Sequence, residues 1–194
     1  SANNCKLLAY NDLGKIYYKG KDVNKDISKS LNYFIYAASQ NLPESQYYLG
    51  KIFYTNKNLQ DTQKAISYFK KAAAQGNVKS QKYLGIIYYE GKVTDKNIKL
   101  AREYFSYASS HSDSTSLFYL GFICYEGKYI PQNNEDAHRR FIDSINKNDN
   151  QYALNNLGIM CKHGEIEKAN IIDAKHYFEK AIKMKDDVVA RFNL

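Results

Sequence analysis

The chain has 194 residues, enough for one domain or a short repeat array. Hydrophobic residues make up 44% of it, which argues against wholesale disorder, and the 2 prolines suit a helical fold. The formal charge is +8 and lopsided: residues 1–97 carry 15 Lys against 7 acids, whereas residues 98–194 carry 13 Lys/Arg against 13 acids.

No apolar run approaches the roughly 18 residues of a membrane span. Three cysteines, Cys5, Cys124 and Cys161, form no Cys-x-x-Cys and leave an odd count, against a disulfide framework or a structural zinc site. The basic N-terminal half reads first as a solubilising surface and only secondarily as a hint of a polyanionic partner.

In chain order, Leu-Gly recurs at 13–14, 49–50, 84–85, 120–121 and 157–158, at intervals of 36, 35, 36 and 37 residues. Four residues before each Leu is a small residue: Ala9, Ser45, Ser80, Ser116 and Ala153. Together with the apolar residues that follow, these form a stripe at helical spacing, predicting a first helix in each unit. Seven residues after each Leu come Gly20, Asn56, Gly91, Gly127 and Gly164. Gly and Asn accept a left-handed C-cap, so all five are expected to end their helices that way.

A second stripe follows in each unit. Asp26, Asp61, Asn97, Asn133 and Asn170 are predicted N-caps. Four residues later stand Ser30, Ala65, Ala101, Ala137 and Ala174, then Phe34, Phe69, Phe105, Phe141 and Phe178 after four more. Ala37, Ala72, Ala108, Ser144 and Ala181 complete one helix face. The glycine after each Leu is read as the place where two helices approach closely. Ala190 and Leu194 match the start of a sixth first helix, which leads us to expect a piece of a longer protein or an unusual terminal cap.

These residues resemble Sel1-like repeats, relatives of the tetratricopeptide repeats. The stretch "AISYFKKAAAQGNVKSQKYLGIIYYEG" lies close to that pattern, and five occurrences stay in phase. The resemblance implies an all-α fold: a right-handed α-solenoid of about five helix-turn-helix units. It would be a single domain, 1–194, with units at roughly 9–44, 45–79, 80–115, 116–152 and 153–189 and the start of a sixth at 190–194. It also implies a non-catalytic adaptor or scaffold binding a protein or peptide partner. Its bacterial members include envelope, host-contacting and immunity-type factors. No common catalytic residue carries over, and fold alone warrants only a binding module.

If the first helices line the concave side, certain offsets from each Leu face the groove. They give Tyr18, Tyr47, Tyr48, Tyr54, Lys82, Tyr83, Tyr89, Phe118, Tyr119, Phe122 and Tyr125 as partner-binding candidates. Tyrosine supplies rigid area plus a hydroxyl and is enriched at interfaces. The competing reading is that these rings fill gaps between repeats. Tyr88, one turn after Leu84, is expected in the core. A Tyr/Lys groove would suit an extended peptide or an acidic partner helix.

The alternatives are polyanion or nucleic-acid binding through the basic half, which the scattered lysines do not favour, and a hydrolase. His111, His138, His163 and His176 form no evident nucleophile–base pair, and there is no phosphate loop, metal box or Gly-x-Ser-x-Gly elbow. No enzyme activity, cofactor or metal is expected, and the sequence selects no compartment.

Overall fold

In the computed structural model, residues 2–184 are described apart from Asp22, Val93, Asp149 and Lys168. The expected sixth helix at Ala190 and Leu194 lies outside the described residues. Ten α-helices and no strand occur among the described residues. The chain divides into two compact units, Ser1–Lys96 and Asn97–Leu194.

The first unit holds α1 (Ala2–Lys19), α2 (Ile27–Ser39), α3 (Pro43–Thr55), α4 (Thr62–Ala74) and α5 (Val78–Glu90). Each helix packs on the next, and α1 also touches α3 as α3 touches α5. The odd-numbered helices thus make the inner layer of this unit. The second unit holds α6 (Ile98–Ser110), α7 (Ser114–Glu126), α8 (Asn134–Lys147), α9 (Gln151–Lys162) and α10 (Ile171–Lys183), again packed consecutively.

The stripes seen in the sequence are the core. Phe34, Phe69, Phe105, Phe141 and Phe178 are all buried, as are the small residues before and after them. Each such ring contributes on the order of 2–3 kcal/mol of burial. Where Ser replaces Ala, its hydroxyl is satisfied: Ser30 Oγ donates to Gly14 O at 2.9 Å, and Ser144 Oγ to Ser114 O at 2.7 Å.

The five predicted N-caps all cap. Asp26, Asp61, Asn97, Asn133 and Asn170 accept from backbone N–H groups in the first turns of α2, α4, α6, α8 and α10. In three units the cap also ties the pair together. Asp26 N donates to Tyr17 O at 3.0 Å, Asp61 N to Phe53 O at 2.9 Å and Asn133 N to Cys124 O at 3.0 Å.

The glycines after Leu stand where a phenylalanine ring passes. A Cβ on Gly14, Gly50 or Gly158 would meet Phe34, Phe69 or Phe178 at 2.6–2.7 Å, and on Gly121 it would meet Phe141 at 3.0 Å.

Two expectations need correction. Asn56 is extended (φ −86°, ψ 112°), not left-handed. Its side chain accepts from Asn58 N and its carbonyl from Leu59 N, so a local side-chain turn ends α3 instead. The apolar stripe of α1 is also less covered than its counterparts. Leu13 is 38% exposed and Ala9 is exposed, whereas Leu49, Leu84 and Leu157 are fully buried. Those later leucines lie under the helix of the preceding pair, and no described helix precedes α1.

Candidate functional site

The inner layer of the first unit gathers Tyr18 from α1, Tyr47, Tyr48 and Tyr54 from α3, and Tyr83 from α5. Tyr47 and Tyr48 are nearly covered, at 6% and 8% exposure. Tyr18, Tyr54 and Tyr83 are half-buried.

Their rings are held by packing. Tyr48 stacks on Phe34 at 4.8 Å and 3°, and Tyr83 on Phe69 at 5.0 Å and 7°. In the second unit Tyr119 stacks on Phe105 at 4.8 Å and 3°. The tyrosine before each of these leucines thus joins one helical pair to the one before it. Tyr54 meets Phe69 and Tyr83 edge-on, at 6.4 and 5.8 Å.

The rings also meet one another, Tyr47 and Tyr83 with centroids 6.0 Å apart. Burial is the main reason that the phenols of Tyr47, Tyr54 and Tyr83 are all pushed above the usual tyrosine range, so they stay protonated donors at neutral pH. Lys51 on α3 projects its ammonium over the Tyr18 ring, 5.4 Å from the centroid. It also acts electrostatically on Tyr48 and Tyr83. A shallow cleft of about 350 Å³ opens beside Tyr18, lined also by Lys25, Ile27, Ile52, Asn56 and Lys57.

Tyr89 and Lys82 belong to the same helix as Tyr83. Lys96 lies over Tyr89 at 4.8 Å, and Lys82 beside Tyr83 at 5.9 Å. Tyr88 is buried, as its spacing from Leu84 predicts.

The remaining candidates form a second group in the other unit. Phe118 packs against Tyr119, Phe122, Phe141 and Tyr152 at 5.3–5.9 Å. Phe118, Tyr119, Tyr152 and Met184 line a cleft of about 270 Å³. Burial, then a hydrogen bond with Glu165, pushes the Tyr125 phenol up to about 12.

Lys51 was not among the candidates, although it sits two residues after Leu49 in the groove-facing register. Its neighbour across the layer, the Tyr18 ring, is visible only in the packing. The Cys124 thiol is engaged in structure. It donates to Asp136 Oδ2 at 3.3 Å, and burial followed by that carboxylate pushes it up, away from thiolate character.

The Sel1 repeat family model matches residues 7–42, 43–77, 78–113, 114–139 and 151–186. The chain belongs to the Sel1 repeat family.

Solved structures agree on the fold. A Sel1 repeat protein from Oxalobacter formigenes aligns with a TM-score of 0.82 at 26% identity, over 94% of this chain and 75% of that one. A protective antigen of uropathogenic Escherichia coli with an SLR fold aligns with a TM-score of 0.77 at 24% identity, over 91% of this chain. This chain spans 38% of that antigen's length. An immunity protein from Pseudomonas aeruginosa, Pa5087, aligns with a TM-score of 0.58 at 20% identity, over 91% of this chain and 68% of that one. No curated protein sequence matches the chain.

Sel1-repeat proteins generally mediate protein–protein interaction and are typically non-catalytic scaffolds. No helix among the described residues is long and apolar enough to cross a membrane.

Proposed function

We propose that this Sel1-repeat chain is a non-catalytic interaction module whose protein or peptide partner lies on the tyrosine-rich inner face, contacting Tyr47, Tyr48, Tyr54, Tyr83 and Tyr89. The observation that carries this reading is the division among the rings. Tyr48 and Tyr83 are fixed by stacking on Phe34 and Phe69, while Tyr18, Tyr54 and Tyr83 stay only half-buried on the odd-numbered helices. A rigid aromatic row with protonated hydroxyls is what a peptide backbone and its side chains can exploit, because little conformational entropy is lost on contact.

A polyanion partner has weaker support. The cations near aromatic rings are spread over several helices, with Lys29 and Lys64 lying over Tyr17 and Phe53 at 5.3 and 5.7 Å and paired to Asp26 and Asp61. Such cations do not form the single stripe that tracks a phosphate backbone.

The test is a pull-down from the source organism with wild type and a Tyr54→Ala/Tyr89→Ala/Tyr125→Ala variant. The expected result is loss of the partner with helix content unchanged by circular dichroism. Retention of every partner by a folded triple variant removes the reading.

A further inference from the structure

The repeat supplies its own internal reference for how a carboxylate sits in this groove. In the first pair, Asn11 and Lys15 occupy the offsets two before and two after Leu13. Both reach one oxygen of Glu44 on the next inner helix: Asn11 Nδ2 donates to Glu44 Oε2 at 2.7 Å, and Lys15 Nζ lies 2.7 Å from the same atom. Asp12 adds a second contact to Lys15 at 3.2 Å. The cation is neutralised, and the carboxylate bridges α1 and α3.

One repeat later the receivers persist and the carboxylate is gone. Tyr47 stands at the Asn11 offset, Lys51 at that of Lys15 and Tyr48 at that of Asp12. The residue corresponding to Glu44, five before the next Leu, is Lys79. Its ammonium lies 5.6 Å from the Tyr47 ring centroid and supplies more positive charge. Lys51 has no carboxylate within ion-pair distance among the described residues, only the Tyr18 ring below it.

The Tyr47 and Tyr83 rings lie 6.0 Å apart beside Lys51, and each phenol carries one proton that can be donated. Lys51, a second lysine and two phenols thus cluster at the offsets where the neighbouring repeat holds an acid. The unit around them carries an excess of 8 positive charges over residues 1–96.

We propose that Lys51, beside the Tyr47 and Tyr83 rings, takes a carboxylate from an acidic segment of a partner protein. The partner's Asp or Glu side chain then plays toward Lys51 and Tyr47 the part that Glu44 plays toward Lys15 and Asn11. This rests on the reading of the inner face as the interaction surface, and it names the chemistry that the face selects. The series stops after this repeat, because Ile86 holds the equivalent offset in the third. One acidic anchor is therefore specified, with aromatic contacts around it.

The experiment uses a blocked, fluorescein-labelled hexaglutamate peptide and fluorescence anisotropy at low salt. Wild type is expected to bind. Lys51→Met is expected to weaken binding about tenfold or more, since a partly buried charge-assisted contact is lost. Lys51→Arg keeps most of the affinity, Tyr47→Phe/Tyr83→Phe loses severalfold, and Lys71→Met on α4 binds like wild type. Thermal melts confirm that each variant is folded.

Absence of binding by wild type, or equal loss with Lys71→Met, overturns the proposal. So does Lys51-dependent binding of a dodecathymidylate without hexaglutamate binding. If the triple tyrosine variant loses its partner while hexaglutamate fails to bind, the interaction face stands and only its acidic preference falls. If hexaglutamate binds through Lys51 while the triple variant keeps its partners, the anion site stands and the tyrosine-face reading falls.

Discussion

The Phe34 ring fills the volume that Gly14 leaves open: a Cβ on Gly14 would stand 2.6 Å from Phe34 Cε1. The same pairing holds for Gly50 with Phe69, where the gap is 2.7 Å. Helix propensity alone favours Ala at such a position by about 1 kcal/mol, so the glycine is kept by the ring. Gly50→Ala is expected to destabilise by about 1–3 kcal/mol, the usual cost of overpacking, and to lower the melting temperature by several degrees. Gly121→Ala, with its 3.0 Å gap to Phe141, should cost less. Combining Gly50→Ala with Phe69→Leu should cost less than the sum of the two, since the smaller side chain relieves the clash. Additive losses in urea unfolding would show that ring and glycine are not coupled.

Ser112 sits in the turn between α6 and α7 with φ at +65°. Gly76 fills the corresponding turn between α4 and α5 at +82°. A non-glycine residue held there is strained by about 1–2 kcal/mol, partly offset by the lower entropy of its unfolded chain. Ser112→Gly should therefore raise stability by about 0.5–1 kcal/mol. An unchanged or lower melting temperature would count against the strain.

The glycine that ends α7 can be separated from the one after α9. Gly127 is left-handed (φ 61°), and a Cβ there would also strike Gln132 Cβ at 2.6 Å. Gly164 has the same hand (φ 69°) but open space around it. Gly127→Ala should cost at least about 1 kcal/mol more than Gly164→Ala. Comparable losses from the two would mean that backbone conformation alone matters.

Asp136 gives a pH dependence with a defined sign. Burial opposes its charge, but hydrogen bonds from Arg140, Cys124 and Arg139 outweigh it and hold the carboxyl below its ordinary range. Such a group stabilises the fold above its unfolded value near 4 and loses that contribution as pH falls through the lower folded value. Wild type should therefore exceed Asp136→Asn in urea midpoint at pH 7, with the gap narrowing as pH falls below about 4. A gap independent of pH would assign the loss to shape rather than charge.

The same position shows how the repeats vary in matched pairs. In the first two pairs an aromatic residue on the inner helix meets a lysine on the outer one: Tyr17 with Lys29, and Phe53 with Lys64. In the fourth, Cys124 meets Asp136 instead. Cys124→Tyr should be poorly tolerated alone, because it sets a ring beside a carboxylate, and better tolerated with Asp136→Lys, which restores a cation–π pair. Melting temperatures of the two singles and the double decide this.

The sequence carried the covered parts of the fold well. Leu, Gly, Phe and the small residues recur because burial leaves each of them few substitutes, and the Asp and Asn caps recur because an orphan backbone donor needs an acceptor. Asn56 misled because an Asn side chain can also build its own turn, and nothing in the spacing distinguishes the two uses. Lys51 was hidden for a different reason. The role proposed for it depends on comparison with the contact between Lys15 and Glu44, which had to be seen first.

The stacked Phe–Tyr pairs have an evolutionary corollary. The flat of each ring belongs to the spine, but its rim is a single removable oxygen. Exchanging Tyr83 for Phe deletes one oxygen and leaves the stack on Phe69 in place. If the face binds as proposed, a lineage can therefore retune it one hydroxyl at a time, without first acquiring stability to spare.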